Sequence, residues 1–380
     1  MNTNELDGIP FPTLTERDTR QGRKKRRMLV LGLGILILAA LLLAVGLRVI
    51  QGHGKSSLER HAGENPGPDH AGLQAAIGGT NGDDRATQNA EPAEGQIIHK
   101  GRIHEYNEDI LTFLLLGIDS PDGIGEKKPP REGGQADVIL LLVLDRAAGT
   151  LKLINIPRDT MAAVEVYDWE GSHVGTFEEQ IALQYAYGDG REESARLTEA
   201  AVSRLFYGMP INGHFVLEMQ GVAALNDAVG GVTLTVAEDM AGKSPRLIAG
   251  ETVTLTGDEA LTYVRHRDRE GIGSNDRRNS RQLQYMLALF GQAREAAGAD
   301  WSFPLRLYNL AKEHGMGSLT QSQAAYLAGQ APGLKFSADD VHSLAGTGTA
   351  PDVYEEFRVD EDELYELIVD IFYRDVGTAN

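Results

Sequence analysis

The 380-residue chain contains no cysteine, and its basic residues are in the minority, with 36 Lys and Arg against 55 Asp and Glu. Without cysteine, disulfide bonds, thiolate nucleophiles and cysteine-ligated zinc are all excluded. The formal net charge of −19 argues against nonspecific nucleic-acid binding, which depends on a broadly basic surface. The ten histidines include no HExxH pair, so a zinc site of that kind is not predicted either.

The most apolar stretch, residues 28–47, consists of twenty uncharged and mostly aliphatic residues. A helix of that length crosses a hydrocarbon core of ~30 Å. Six Lys and Arg residues within 20–27 precede it, and the positive-inside rule therefore places the N-terminus in the cytoplasm. We predict a basic cytoplasmic segment (1–27), a single-pass transmembrane anchor (28–50) and an extracellular remainder. A cleaved signal peptide is the alternative, but no clear cleavage site follows the apolar run.

Residues 51–102 are rich in Gly, Pro, Asn, Asp and Glu and poor in large apolar residues. Such a composition buries too little surface to offset the entropy lost when a chain becomes ordered. We therefore predict a flexible, disordered extracellular stalk over residues 51–102 and a folded domain over residues 103–376.

The folded domain begins with three apolar runs of strand length, at residues 112–118, 137–144 and 151–156. Nearly continuous apolarity is typical of strands that are buried on both faces. Residues 146–149 have the pattern of a hairpin connection, which indicates that part of the sheet is antiparallel. Helical patterns follow at residues 178–188, 193–206, 214–231 and 278–297, with a strand-like run at 232–236. The order predicts an α/β fold, a three-layer α/β/α arrangement with a mixed central sheet.

Residues 263–282, YVRHRDREGIGSNDRRNSRQ, contain six arginines in an otherwise acidic protein. A planar guanidinium binds phosphate oxygens through two fixed hydrogen bonds, so the cluster predicts a phosphate-bearing ligand. A solvated, salt-bridged helix is the alternative. Polar residues also stand at the ends of the apolar runs, namely Asp119, Asp137 and the pair Arg158 and Asp159. Strand ends are where α/β proteins usually form their sites, although each residue alone also fits a turn or a surface pair.

In order, the segments LLLGIDS, ADVILLLVLD, LKLINIPRDT, VLEMQGVAALNDAVGGVTLTV, GDEALTYVRHRD and RRNSRQ resemble the LytR-CpsA-Psr family of cell-wall phosphotransferases. The resemblance covers about residues 103–376. It implies an Mg²⁺-dependent enzyme at the outer face of a bacterial membrane. Such an enzyme moves a glycopolymer phosphate, for example that of a teichoic acid, from a polyprenyl diphosphate carrier to a peptidoglycan hydroxyl. Charge neutralisation by arginines and a carboxylate-held Mg²⁺ is what diphosphate cleavage requires.

The resemblance also implies roles for individual residues. The diphosphate clamp would consist of Arg158, Arg265, Arg267, Arg278, Arg281 and Gln282. Asp137 would bind Mg²⁺, and Asp119 would either assist it or accept the proton of the incoming hydroxyl. The catalytic set is therefore Asp119, Asp137, Arg158, Arg265 and Arg267. The lipid tail would need a long apolar cavity beneath the sheet.

Some residues depart from the family pattern. Gln135 stands where members commonly carry a phosphate-binding arginine, and Ala162, Asn275 and Leu283 also differ. Loss of one charge-stabilising donor costs roughly 10²–10³ in rate. Two alternatives therefore accompany the phosphotransferase: a noncatalytic or weakly active polyprenyl-phosphate-binding wall protein, and a polyprenyl diphosphate hydrolase.

Overall fold

The computed structural model describes residues 55–58, 67–80, 92–118, 123–266, 274–300, 302–349 and 355–378. These residues belong to one compact unit, which runs from Gly54 to Asn380. Every helix in the described ranges is too short or too polar to cross a lipid bilayer. The predicted cytoplasmic segment (1–27) and transmembrane anchor (28–50) lie outside the described residues.

The strands are β1 (Gln96–His99), β2 (Arg102–Tyr106), β3 (Ile110–Ile118), β4 (Ala136–Asp145), β5 (Thr150–Asn155), β6 (Met161–Tyr167), β7 (His173–Gln180), β8 (His214–Glu218), β9 (Thr233–Thr235), β10 (Thr252–Thr254), β11 (Gly315–Gly317), β12 (Val341–Ser343), β13 (Gly346–Thr349), β14 (Glu356–Val359) and β15 (Tyr373–Thr378). The helices are α1 (His70–Thr80), α2 (Leu183–Ala186), α3 (Glu192–Leu205), α4 (Gly221–Ala228), α5 (Gly257–Arg265), α6 (Ser274–Ala299), α7 (Phe303–Glu313), α8 (Gln321–Gln330) and α9 (Glu361–Phe372).

A six-stranded mixed sheet in the order β11-β8-β3-β4-β5-β12 forms the centre of the domain. The three predicted apolar runs are confirmed as its neighbouring strands β3, β4 and β5, which pair antiparallel. The predicted hairpin is also confirmed, because Asp145 pairs with Thr150 across the connection. Strand β8 pairs parallel with β3, and β12 pairs parallel with β5. The fold is therefore mixed α/β, as the sequence predicts.

Alternate residues of the central strands face opposite sides of the sheet. On one side Leu114, Leu116, Ile139 and Leu141 belong to the main core cluster, which also contains residues of α1, α3 and α9. On the other side Leu115, Gly117, Val138 and Leu140 line a cavity under α4, α6 and α7. This second side, where the sheet and the helices leave an internal space, is the one that carries the candidate site.

The predicted flexible stalk (51–102) is wrong for part of its length. Helix α1 lies within it, and its Leu73 and Ile77 are fully buried in the main core. Strands β1 and β2 pair antiparallel, and β2 also pairs with β15. Composition misleads here because two apolar residues spaced one helical turn apart present a continuous buried stripe despite a polar surrounding sequence. The folded domain begins well before residue 103.

Two predicted helices are also partly wrong. Residues 214–218 form the central strand β8, and the helix in that segment is limited to α4. Residues 178–180 complete strand β7 before the short helix α2 begins. Short apolar runs fit the helical and the strand period equally well, and pairing with β3 decides the outcome at β8. The predicted helices at 193–206 and 278–297 are confirmed as α3 and α6.

Candidate functional site

Asp137 occupies a β-bulge near the start of β4. Gly117 pairs with Val138 and Ile118 pairs with Ala136, so Asp137 is the additional residue on its strand. A Cβ at Gly117 would lie 2.9 Å from the Cβ of Val138, so the glycine permits this close approach. Bulges redirect side chains and recur beside active sites. The bulge thus places a carboxylate near the start of a strand that is mostly aliphatic.

Arg158 lies on a tight turn directly after β5. The backbone N–H and the hydroxyl of Thr160 both donate to the carbonyl of Pro157, at 3.0 and 2.6 Å. The turn is joined to the chain before α2, because the carbonyl of Arg158 accepts a hydrogen bond from the N–H of Ala182 at 3.2 Å. The backbone of Arg158 is therefore fixed on both sides.

Three polar side chains surround the guanidinium of Arg158, and together these four groups define the ionic corner: Gln135, Asp137, Arg158 and Asp159. Nη1 forms an ion pair with the Asp137 carboxylate. Nη2 donates to Oε1 of Gln135 at 2.5 Å, and Nε lies 3.4 Å from Oδ1 of Asp159. Asp159 also accepts a hydrogen bond from Nε2 of Gln180 at 2.9 Å. Charge-assisted contacts of this kind hold a guanidinium in one plane.

A small polar pocket is lined by Asp137, Arg158 and Gln282, among others. Its volume is about 10 Å³, roughly the space of one water molecule. A diphosphate would therefore lie over this corner rather than inside it. Three residues named from the sequence as site candidates are nevertheless brought together here from β4, the turn after β5 and α6.

A much larger cavity of about 310 Å³ adjoins the polar pocket. It lies between β3, β4 and β8 of the sheet and helices α4, α6 and α7, and its walls are almost entirely aliphatic and aromatic. The cavity and the polar pocket share the lining residues Val138, Leu140, Gln282 and Met286. The side-chain amide of Gln282 donates to the carbonyl of Val264 at 3.1 Å, which fixes it at this junction.

Arg281 lies outside the ionic corner and has a different set of partners. Its Nε donates to the carbonyl of Tyr263 at 3.0 Å, Nη2 donates to the carbonyl of His266, and Nη1 pairs with Glu238. The side chain is 2% exposed, and burial lowers the pKa of its guanidinium. In this structure Arg281 joins α6 to the end of α5, and its predicted phosphate contact stays a prediction.

Of the four remaining predicted site residues, the structure describes two. Arg265 is exposed at the end of α5, and Arg278 is buried on α6. The other two, Asp119 and Arg267, lie outside the described residues. Arg131, which could replace the missing arginine at position 135, lies instead over the rings of Trp169 and Tyr187. The other candidate for that role, Arg277, lies 3.6 Å from Glu238.

The structure adds partners to which sequence reasoning gave no role in the site. Asp159 is named from the sequence with Arg158, but only as one half of a surface pair, whereas here it lies beside the guanidinium. Gln135 was recognised only as a missing arginine, whereas here it accepts a hydrogen bond from Arg158. Glu238, the partner of Arg281, lies more than forty residues away in sequence, and no motif points to it.

No cluster of three or more histidine, aspartate or glutamate side chains suited to a metal ion occurs within the described ranges. Asp137 supplies one carboxylate. Magnesium is commonly held by one or two protein carboxylates together with substrate phosphates and water. The donor set at the corner is therefore compatible with Mg²⁺ that arrives with a phosphate-bearing ligand, and the bulged Asp137 would be its protein ligand.

The chain resembles solved structures in fold and curated proteins in sequence. It is 28% identical over 187 residues to a polyisoprenyl-teichoic acid–peptidoglycan teichoic acid transferase TagU of Halalkalibacterium halodurans, covering 49% of this chain and 54% of the relative. The crystal structure of Bacillus subtilis TagV aligns with a TM-score of 0.53 at 23% identity over 69% of this chain and 95% of that one. A structure of TagT bound to LI-WTA aligns with a TM-score of 0.52 at 22% identity, covering 69% and 89%.

The aligned region spans about half the length of the curated relatives that the chain matches. The structural likeness at these identities concerns the fold. The family model of LytR_cpsA_psr matches residues 77–366, which is most of the chain and nearly all of the described domain. The match begins within α1, in agreement with the early start of the folded domain. The chain therefore belongs to the LytR_cpsA_psr family.

Proposed function

We propose that this protein is a membrane-anchored phosphotransferase that moves a glycopolymer phosphate from a polyprenyl diphosphate carrier to a peptidoglycan hydroxyl. The observation that carries the proposal is that the polar pocket at the ionic corner adjoins the apolar cavity and shares four lining residues with it. A ligand that occupies both must combine a polar, charged head with a long hydrocarbon tail. A polyprenyl diphosphate has this composition.

The cavity fits the tail in size and in chemistry. Its volume of about 310 Å³ lies at the lower end of the ~300–1,000 Å³ that is usual for small-molecule sites. Apart from Gln282 and the two tyrosines Tyr285 and Tyr308, its lining residues have no polar side chain. Burial of a hydrocarbon chain there gains roughly 25 cal/mol for each Å² removed from water. The tail would therefore supply affinity, and the ionic corner would position the reacting phosphorus.

The names of relatives agree with this choice. The TagU protein that the chain resembles is called a polyisoprenyl-teichoic acid–peptidoglycan teichoic acid transferase, and TagT has been solved bound to LI-WTA. Since the alignment covers about half of the curated relatives, their activity comes to this chain as part of the proposal. The same holds for the three-layer arrangement and for peptidoglycan as the acceptor.

The reaction proposed is attack of an acceptor hydroxyl oxygen on the glycopolymer-bearing phosphorus. A new P–O bond forms, the bond from this phosphorus to the bridging oxygen of the diphosphate breaks, and polyprenyl phosphate leaves with the bonding electron pair. Arg158 would stabilise the charge that develops on the phosphate oxygens, while Gln135 and Asp159 keep its guanidinium oriented. Asp119 would accept the proton of the hydroxyl, or assist Asp137. When bound, Mg²⁺ would neutralise charge on the diphosphate at Asp137.

The proposal includes the location of the enzyme. Residues 28–50 would anchor the chain in the cell membrane, with residues 1–27 in the cytoplasm and the folded domain outside. A carrier lipid that is itself embedded in the membrane is then within reach of the domain. The proposed binding partners are the lipid-linked glycopolymer and peptidoglycan, and binding to nucleic acid is not expected.

The test is donor cleavage by the full chain in detergent micelles, with a short-chain polyprenyl diphosphate-linked saccharide and Mg²⁺, read by mass spectrometry. Arg158→Ala and Asp137→Asn are compared with Arg196→Ala, which removes an exposed arginine that pairs with Glu193 on the surface of α3. We expect cleavage to fall about 10²–10³-fold in the first two variants and to persist in the third.

Each other result points to a named alternative. Release of free saccharide phosphate at the same rate with and without peptidoglycan fragments would indicate a hydrolase. Donor binding without cleavage would indicate a noncatalytic polyprenyl-phosphate-binding protein. Cleavage that survives both Arg158→Ala and Asp137→Asn would show that the ionic corner is not the reaction site.

A further inference from the structure

The hairpin formed by β6 and β7 carries three of the five exposed large apolar side chains of the described residues, Trp169, Val174 and Phe177. Trp169, in the connection between the strands, is 60% exposed, and Phe177 on β7 is 49% exposed. Together with the exposed Arg131 and the buried ring of Tyr187 beneath it, they form what we call the aromatic platform. Exposed apolar patches on a protein surface commonly mark interaction sites.

Contacts between different segments hold the platform together. The guanidinium carbon of Arg131 lies 5.3 Å from the ring centroid of Trp169 and 5.4 Å from that of Tyr187. At these distances a cation is attracted to the faces of both rings. The hydroxyl of Tyr187 donates to the carboxylate of Glu179 at 2.8 Å, so the rings stand beside a positive and a negative group.

Backbone contacts fix the position of Arg131 in the platform. Arg131 has a φ of +73°, a conformation that is uncommon for a residue other than glycine and persists only where contacts enforce it. Its N–H donates to the carbonyl of Ala186 at 2.5 Å, directly before Tyr187. Phe177 pairs across the hairpin with Val164, which packs with Tyr187 in a small buried cluster.

The same two chain segments build the platform and the ionic corner. Arg131 precedes Gln135 by four residues, a separation of at most about 14 Å in an extended chain. Strand β6, which leads to Trp169, begins three residues after Arg158. At its other end the hairpin is bonded to the corner, because Nε2 of Gln180 donates to Asp159. The hairpin thus connects the platform at its tip to the proposed reaction site at its base.

The chemistry of the surface favours a saccharide. The C–H face of a pyranose ring is apolar and covers an aromatic ring, while its hydroxyl rim forms hydrogen bonds with groups such as the guanidinium of Arg131 and the carboxylate of Glu179. A membrane-binding surface would combine apolar residues with many basic ones, whereas Glu178 and Glu179 lie on β7 beside Phe177. The formal charge of −19 also opposes binding to an anionic lipid surface.

We propose that the aromatic platform binds the glycan strand that carries the acceptor hydroxyl. This inference rests on the proposed function, because it assigns the acceptor side of the same reaction. The donor lies at the ionic corner and the apolar cavity, and the acceptor approaches across the hairpin. Trp169 and Arg131 belong to the residue types that most often dominate binding surfaces.

The test is equilibrium binding of the full chain in detergent to uncross-linked peptidoglycan glycan strands that carry no teichoic acid. Trp169→Ala and Trp169→Phe are compared with Val174→Ala, which removes a 57% exposed aliphatic residue from the same hairpin. We expect Trp169→Ala to raise the glycan Kd about tenfold or more, a usual size for loss of an aromatic anchor. Trp169→Phe should retain most of the affinity, and Val174→Ala should match the wild type.

Turnover supplies the second readout. In Trp169→Ala the acceptor KM should rise by the same factor, whereas Val174→Ala should keep the acceptor KM of the wild type. Equal glycan affinity in all three variants would overturn the inference. So would loss of binding to phosphatidylglycerol vesicles, or loss of a dimer, in Trp169→Ala without any change in glycan Kd. The binding experiment needs no turnover, so failure of donor cleavage in the wild type would refute the proposed function without deciding the platform.

Discussion

Arg158 and Arg281 are both enclosed arginines of the predicted phosphate clamp, yet their surroundings differ in kind. Arg158 contacts the side chains of Gln135, Asp137 and Asp159 at the edge of a pocket. Arg281 donates to two backbone carbonyls and pairs with Glu238 at 2% exposure. Side-chain partners can turn away when a phosphate arrives, whereas carbonyls of a folded segment cannot. The comparison teaches that an arginine in a phosphate-binding motif can act on the ligand or on the fold.

The largest expected effect is on stability, at Arg281. Arg281→Ala leaves the carbonyls of Tyr263 and His266 without their side-chain donor and removes one of the two arginines beside Glu238. A buried acceptor left without its donor costs roughly 1–3 kcal/mol, so for the two carbonyls together we expect a loss of about 2–6 kcal/mol in the free energy of unfolding. Urea denaturation followed by circular dichroism measures it.

Arg277→Ala is the matched control for Arg281→Ala. It removes a 44% exposed arginine from the same helix, 3.6 Å from the same Glu238, and should change the free energy of unfolding by less than about 1 kcal/mol. If both variants lowered the free energy of unfolding equally, Arg281 would have no special role in stabilising the fold.

The next effect is on turnover, at Arg158. Arg158→Lys keeps a positive charge but loses the planar fork that meets Gln135, Asp137 and Asp159 at once. We expect kcat/KM for donor cleavage to fall at least tenfold in Arg158→Lys and about 10²–10³-fold in Arg158→Ala. If lysine supported wild-type turnover, a point charge would suffice and the three-way orientation of the guanidinium would be irrelevant.

A variant at Gln135 tests whether this residue orients Arg158 or only marks the loss of a phosphate-binding arginine. Arginine has no hydrogen-bond acceptor, so Gln135→Arg cannot replace the bond that Nη2 of Arg158 donates to Oε1 of Gln135. We expect no gain in donor turnover and a loss of about 1 kcal/mol in the free energy of unfolding. A large gain in turnover would instead identify residue 135 as a lost phosphate contact.

The smallest effect concerns a buried group far from the motif. His214, 2% exposed at the start of β8, lies 3.1 Å from Glu199 and 3.3 Å from Glu192. Burial alone would lower the pKa of His214, but the two nearby glutamate carboxylates outweigh it, and the pKa is raised. The stabilisation is fully present below the unfolded pKa of 6.5 and is lost as pH rises through the folded pKa.

The measurement is urea unfolding of wild type and His214→Gln at pH values of about 5.5 and about 8.5. The stability difference between the two proteins should be larger at the lower pH. A difference that is the same at both pH values would show that folding does not shift the pKa of the imidazole.

How far the sequence leads can be seen at particular residues. The apolar runs that became β3, β4 and β5, and the turn that joins β4 to β5, were predictable because continuous apolarity and local turn residues are local signals. The folded part of the predicted stalk could not be recognised from the sequence. Its Leu73 and Ile77 become buried only because the distant Phe372 and its neighbours provide a surface. Among the site candidates, Asp137, Arg158 and Gln282 do meet around one pocket.

The sequence by itself determined the family, the mixed α/β class and the residue types available for phosphate, because these depend on patterns within short segments. Only the tertiary structure decided which arginine lines the pocket, since that depends on a one-residue bulge at Asp137 and on Glu238, which no motif marks. It also decided that Gln135 contacts Arg158 and that Arg131 stacks on Trp169. The physical reason is that ion pairs and ring contacts join side chains across the fold, where distance along the chain carries no information.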